Sequence, residues 1–145
     1  MTLAAERLIA YIDGASRGNP GHSALAVAVF AGETRIAERA SYLGITTNNV
    51  AEYSALLEAL SELRRLGARA AEIRTDSELL VRQINGQYRV KADGLRPLYI
   101  NAVRMLSEFD DIAVKHIPRK ENKIADSLAN KVLDEAMERN ARPTP

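Results

Sequence analysis

Four acidic residues of this chain stand where a carboxylate could take part in chemistry. Asp13 and Asp76 each end a predicted strand, whereas Glu52 and Asp126 lie in the first turns of predicted helices. Any one of them would be an ordinary turn, cap or first-turn acid. Because the chain has no cysteine and only 2 histidines, the four acids together form an all-oxygen set that favours a hard cation, Mg²⁺ or Mn²⁺.

Carboxylates gathered at one place raise one another's pKa and destabilise the fold, so a cation should join them. In an open α/β sheet, ligands bind at the carboxyl ends of the strands, where Asp13 and Asp76 would be neighbours if their strands are adjacent and parallel. Two divalent ions about 3.5–4 Å apart could activate a water and stabilise the leaving oxygen of an in-line phosphoryl displacement. The residues therefore favour phosphodiester hydrolysis.

Hydrophobic periodicity predicts the elements that must hold these acids. An almost unbroken apolar run over 8–12 suits a central strand that is covered on both faces and ends at Asp13. A loop rich in turn formers, 14–21, leads to alternating apolar residues over 24–30 and, after a hairpin turn, over 34–42. The chain therefore begins with three strands joined by short links.

The second half of the chain alternates helices and strands. Leucines at helical spacing predict a long amphipathic helix over 49–66, which Gly67 would cap. The further elements are a strand at 71–75, a brief helix stopping near Asn85, a helix beginning at Pro97, a strand at 112–117 and a last helix with Asn122 as a good N-cap. This order predicts an α/β fold with a five-stranded mixed sheet, three antiparallel strands first and then two parallel, with helices on both faces.

Length and composition set the broad class. A chain of 145 residues, 46% hydrophobic and 27% charged, is neither disordered nor fibrous. We expect a single domain over 1–140 and a frayed tail over 141–145. No signal peptide and no apolar run of about 18 residues is present, which predicts a cytoplasmic protein, expected to be monomeric, with no membrane partner. The net charge of +1 leaves a nucleic-acid partner open.

Four runs around the acids carry a family resemblance. They are DGASRGNPG at 13–21, TTNNVAEY at 46–53, TDS at 75–77 and HIPRKENKIAD at 116–126. In this order, over nearly the whole chain, they closely resemble type 1 ribonuclease H (ribonuclease HI), and four matches in series make chance a poor account.

That resemblance implies a ribonuclease H-like fold and an activity. The metal-binding catalytic acids would be Asp13, Glu52, Asp76 and Asp126, holding Mg²⁺, with Mn²⁺ as an alternative, and two ions when substrate is bound. The substrate would be the RNA strand of an RNA–DNA hybrid, cut endonucleolytically to leave 5′-phosphate and 3′-hydroxyl ends. Two alternatives stay open: a non-catalytic hybrid-binding module, and a nuclease of the same fold that acts on other duplexes or junctions.

Polar residues beside the acids match family positions that touch the hybrid: Asn19, Thr47, Asn48, Asn49 and Ser77. By the resemblance, the amides would meet base edges and 2′-hydroxyls from the minor groove, and Asn19 and Thr47 the DNA backbone. Such contacts recognise shape and sugar, so we expect weak sequence preference. The same residues also suit a plain turn and a helix N-cap.

An auxiliary catalytic role is open between two residues. His116 matches the spacing of a family histidine thought to move protons or help product leave, but a lone histidine at a strand end is more often packed or solvated. Arg119 is its competitor, because an arginine there could meet the scissile phosphate. His22 is taken as incidental.

The chain departs from many bacterial relatives at 86–97, which is too short to hold their basic helical protrusion. Tyr88, Arg89, Lys91 and Arg96 could form a reduced phosphate-binding edge, or simply a solvated loop. The resemblance is therefore to a short form of the family.

Overall fold

A five-stranded sheet forms the centre of the computed structural model, which describes residues 7–141. The strands are β1 (Arg7–Gly18), β2 (Gly21–Ala31), β3 (Thr34–Thr46), β4 (Ala70–Thr75) and β5 (Asp111–His116). They lie in the order β3-β2-β1-β4-β5, with β2 antiparallel to β1 and β3, and β4 parallel to β1 and β5. The predicted mixed sheet is confirmed.

The β1–β2 ribbon replaces the loop predicted over 14–21. Backbone pairing between the two strands continues to Gly18 and Gly21, so that only Asn19 and Pro20 form the turn. The predicted loop is therefore wrong over most of its length, and so is the predicted end of the first strand at Asp13, which lies inside β1. Glycine and serine are poor strand formers by themselves, and here the pairing between the strands overrides that local preference.

Four helices connect or cover the strands: α1 (Asn48–Arg65), α2 (Glu78–Ile84), α3 (Arg96–Leu106) and α4 (Lys123–Ala141), with a short 3-10 helix at Arg119–Glu121 before α4. They start close to the predicted positions, but β3 runs on to Thr46, past the predicted end at 42. Of the predicted frayed tail, 141–145, only Ala141, at the end of α4, lies within the described residues. None of the described helices is both long enough and apolar enough to cross a bilayer.

Both faces of the sheet are covered near its centre. On one face α1 packs its apolar stripe against β1, β2 and β4, and this main core includes Leu8, Ile12, Val27, Leu56, Leu60, Leu63 and Ile73. On the other face α4 packs against β2 through a smaller cluster of Ala24, Ala26, Ala125, Ala129 and Leu133. Two covered faces explain the nearly continuous apolar runs of β1 and β2. The two helices are thereby fixed against the strand ends that carry the acids.

Candidate active site

Two of the acids meet because β1 and β4 are neighbouring parallel strands. Tyr11 of β1 is paired with Arg74 of β4, and Asp13 and Asp76 each stand two residues further along the chain. Both side chains therefore lie just beyond the last pair of the parallel β1–β4 ladder, although β1 itself continues to Gly18 in its pairing with β2. This is where open α/β sheets bind ligands.

Glu52 reaches the same edge because α1 lies directly against β1. A Cβ atom at Gly14 would be 2.3 Å from the backbone of Ala51 and of Glu52, so only glycine permits this approach. The close approach also allows the backbone N–H of Gly14 to donate a hydrogen bond to Glu52 Oε1. Gly14 therefore serves as a contact point between strand and helix, and not as the turn residue that its neighbours had suggested.

The carboxylates form one cluster. Asp13, Glu52 and Asp76 each offer an oxygen within 4.8 Å of the others. Asp126, in the first turn of α4, lines the same cavity with these three acids. The structure thus brings together all four acids that the sequence singled out.

Burial and mutual repulsion hold protons on this cluster. Burial, together with the charges of Asp76 and Asp126, raises the pKa of Asp13 to about 7, against the lowering effect of the Arg119 charge. Burial, and then the charge of Asp13, raises the pKa of Glu52 to about 8, although the Gly14 N–H and a hydrogen bond with Ser77 act in the other direction. The cluster therefore lacks enough positive charge of its own at neutral pH.

The donor set fits a divalent cation. The gathered ligand atoms are all carboxylate oxygens, which Mg²⁺ and Mn²⁺ prefer. One oxygen from each of Asp13, Glu52 and Asp76 lies within 4.8 Å of the others. Burial disfavours the charged forms of these carboxylates, and a bound cation would favour them. Asp13, Glu52 and Asp76 would hold it, with Asp126 beside them.

Arg119 and His116 occupy different places. Arg119 lines the acidic cavity, with its Nη2 atom 3.8 Å from Asp126 Oδ1, and its side chain is 82% exposed. His116 is exposed at the end of β5 and is not among the cavity residues. It lies near Glu78, whose pKa is lowered mainly by the Arg82 hydrogen bond and in smaller part by His116.

The predicted substrate residues surround the cavity but also have structural roles. Thr47 caps α1 by accepting a 3.2 Å hydrogen bond from its first turn, and Ser77 caps α2 in the same way at 3.3 Å. Asn19 Oδ1 accepts a 3.0 Å hydrogen bond from the backbone N–H of Asn48. Asn19, Thr47, Asn48 and Asn49 are all exposed beside one another. The hairpin turn and the start of α1 thus present one polar surface.

Two asparagines near the acids were missed as site residues. Asn130 donates to the carboxylate of Asp126 at 3.2 Å, one helical turn away, and this spacing was visible in the sequence. Asn122 was expected to cap α4, but its buried amide donates instead to the backbone oxygen of Ile12 at 2.8 Å and to Asp76 at 3.3 Å. Its predicted position at the N-cap of α4 is confirmed, since α4 begins at Lys123 and the Asn122 carbonyl accepts from the N–H of Asp126, but its Oδ1 atom makes no capping hydrogen bond within the described part of the chain.

Fold and site together define an α/β domain with an acidic candidate metal centre where the parallel pairing of β1 and β4 ends. Residues 11–132 match the family model described as "Reverse transcriptase-like". The chain is 33% identical to a Ribonuclease H of Coxiella burnetii, over 91% of this chain and 93% of that protein. The chain belongs to this ribonuclease H family.

Two further similarities are close. A Ribonuclease HI of Halobacterium salinarum is 42% identical over 90% of this chain and 66% of that protein. The solved structure of LC11-RNase H1 in complex with RNA/DNA hybrid has a TM-score of 0.85 and 38% identity, covering 90% of this chain and 99% of that one. The chain spans only 36% to 66% of the length of the first curated relatives it matches.

Proposed function

We propose that this chain is an endonuclease that hydrolyses the RNA strand of RNA–DNA hybrids and leaves 5′-phosphate and 3′-hydroxyl ends. The observation that carries the proposal is the convergence of Asp13, Glu52 and Asp76 within 4.8 Å at one edge of the sheet. Similarity to ribonucleases H, one of them solved with an RNA/DNA hybrid, supports the substrate.

The metal ions of the proposal are Mg²⁺, or Mn²⁺ in its place, two of them with substrate bound, held by Asp13, Glu52, Asp76 and Asp126. When bound, such ions lower the pKa of a water and stabilise charge on the phosphate. The chain's own part is to hold the carboxylates together on two strands and two helices that cannot move apart without opening the core. Arg119 faces the cavity and would meet the scissile phosphate.

The polar surface of Asn19, Thr47, Asn48 and Asn49, with Ser77 beside Glu52, would position the hybrid. Backbone and 2′-hydroxyl contacts of this kind distinguish RNA from DNA without selecting a base sequence.

All four acids come from one chain, which supports action as a monomer. The cytoplasmic location stays a prediction.

The experiment is cleavage of end-labelled hybrid, duplex DNA and duplex RNA with Mg²⁺, with Mn²⁺ and with chelator. We expect cleavage of the RNA strand of the hybrid only, and only with metal. Equal cleavage of the other duplexes would favour a same-fold nuclease of different specificity. Tight hybrid binding with no cleavage under any divalent ion would contradict the proposal and favour a binding module.

Arg119→Ala is expected to lower kcat on the hybrid about 10- to 100-fold, because it removes a positive donor from the cavity. His116→Ala should change kcat by less than about threefold, since His116 lies outside that cavity. Both are measured at saturating Mg²⁺. Arg119→Lys, which keeps the charge without the planar fork, serves as the matched control and should fall between Arg119→Ala and the unchanged protein. A larger loss in His116→Ala would assign the auxiliary role to the histidine.

A further inference from the structure

A wholly buried amide lies directly beneath the acidic cluster. Asn122 stands between the 3-10 helix and α4 and has no exposed surface. Its Nδ2 atom donates to the backbone oxygen of Ile12 at 2.8 Å and to Asp76 Oδ2 at 3.3 Å. One side chain thus ties the start of α4 to the middle of β1 and to the residue that follows β4.

The backbone of the same residue begins α4. The Asn122 carbonyl accepts a 3.1 Å hydrogen bond from the N–H of Asp126, which sets the fourth acid one helical turn above it. Ile12 immediately precedes Asp13 within β1, so the amide contact fixes the strand next to Asp13. Asn122 is therefore linked to Asp13 within β1, to Asp76 directly after β4 and to Asp126 in α4.

This arrangement has a cost in stability. The Oδ1 atom of Asn122 is buried and has no hydrogen-bond partner among the described residues. A buried acceptor without a hydrogen-bond partner disfavours the folded chain, and a small apolar residue would avoid this penalty. A buried amide at this position is therefore better explained by the two hydrogen bonds that its Nδ2 atom donates than by any gain in the stability of the fold.

We propose that Asn122 is a positioning residue that sets the spacing of Asp13, Asp76 and Asp126 and thereby the affinity of the site for divalent cations. The inference deepens the proposed function and rests on its metal centre. Residues that orient metal ligands commonly change metal affinity or activity 10- to 100-fold when they are removed. Asn122 does not touch substrate, and its effect passes through the acids.

The test compares Asn122→Ala with Tyr53→Phe. Tyr53→Phe removes another buried hydrogen bond, from the Tyr53 hydroxyl to Gln83 at 2.8 Å, and is the control for a merely structural loss. MgCl₂ alone is titrated into each protein by calorimetry at 25 °C, without nucleic acid. We expect Asn122→Ala to bind Mg²⁺ about 10- to 100-fold more weakly than the unchanged protein, and Tyr53→Phe to bind it equally well.

Hybrid cleavage gives the second readout. In Asn122→Ala, kcat should fall and the Mg²⁺ concentration for half-maximal rate should rise, while KM for the hybrid stays within about twofold. Unchanged Mg²⁺ affinity in Asn122→Ala, an equal loss in Tyr53→Phe, or no Mg²⁺ binding by the unchanged protein would overturn the inference. If the unchanged protein binds Mg²⁺ but cuts no hybrid, the proposed function fails while the affinity comparison still decides the role of Asn122.

A second variant covers the case in which Asn122→Ala does not fold. Asn122→Ser keeps a short hydroxyl donor and removes most of the side chain. A loss of Mg²⁺ affinity of at least about threefold supports the inference, and affinity equal to that of the unchanged protein overturns it.

Discussion

Asp13→Asn is expected to lower the rate of RNA-strand cleavage at least about a thousandfold while the chain still folds. Asp13 is the acid that the others surround: the charges of Asp76 and Asp126 raise its pKa, and its own charge raises that of Glu52. The substitution keeps the size of the side chain but removes a negative charge from the centre of the proposed metal site. Single-turnover cleavage of the hybrid at saturating Mg²⁺ measures the loss.

Two controls separate chemistry from folding. Metal-free Asp13→Asn should unfold at the same or higher denaturant concentration than the unchanged protein, because a buried acid that resists ionisation has been replaced by a neutral amide. Asp111→Asn changes an exposed acid at the opposite end of the sheet, paired with Arg7, and should leave cleavage within about twofold. Cleavage by Asp13→Asn at a tenth of the normal rate or more would remove Asp13 from the mechanism.

The order of elements and the four acids were predictable from the sequence because both appear in its local pattern. Apolar runs of period two and helical spacing give the order of elements, and Asp13 and Asp76 were expected to be neighbours if their strands are adjacent and parallel. The observed pairing of Tyr11 with Arg74 is the register that this requires. The structure meets the condition of adjacent parallel strands, because β4 is paired in parallel with β1.

The β1–β2 ribbon and the role of Gly14 were not predictable in this way. Glycines in 14–21 are typical of a turn, but Gly14 is required by the approach of α1, which is distant in sequence. The buried amide of Asn122 poses the same difficulty, since its partner Ile12 lies 110 residues away. Residue types in a short segment indicate where a chain turns. The contacts of Gly14 and Asn122 depend instead on how helices and strands that are distant in sequence pack together.

Without divalent metal, the free energy of unfolding is expected to fall as pH rises from about 4 to about 8. Asp13 and Glu52 have ordinary pKa values of 3.8 and 4.5, but in the folded chain these are raised to about 7 and about 8. Between those limits the folded chain keeps protons that the unfolded chain has released, so each rise in pH favours unfolding. Each pH unit over which the folded chain holds one of these protons lowers the free energy of unfolding by about 1.4 kcal/mol.

Denaturant unfolding in chelator at pH 5, 7 and 9 measures this slope, and MgCl₂ should recover the lost stability at pH 9 by binding only the folded chain. Glu52→Gln keeps an acceptor for the Gly14 N–H but cannot ionise, so it should flatten the slope and weaken the response to Mg²⁺. Glu33→Gln, at an exposed position in the β2–β3 turn, is the matched control and should leave both unchanged. A free energy of unfolding that does not fall between pH 5 and pH 9 in chelator would mean that the pKa values of Asp13 and Glu52 are not raised in the folded chain. The electrostatic reason for a metal ion at this site would then be absent.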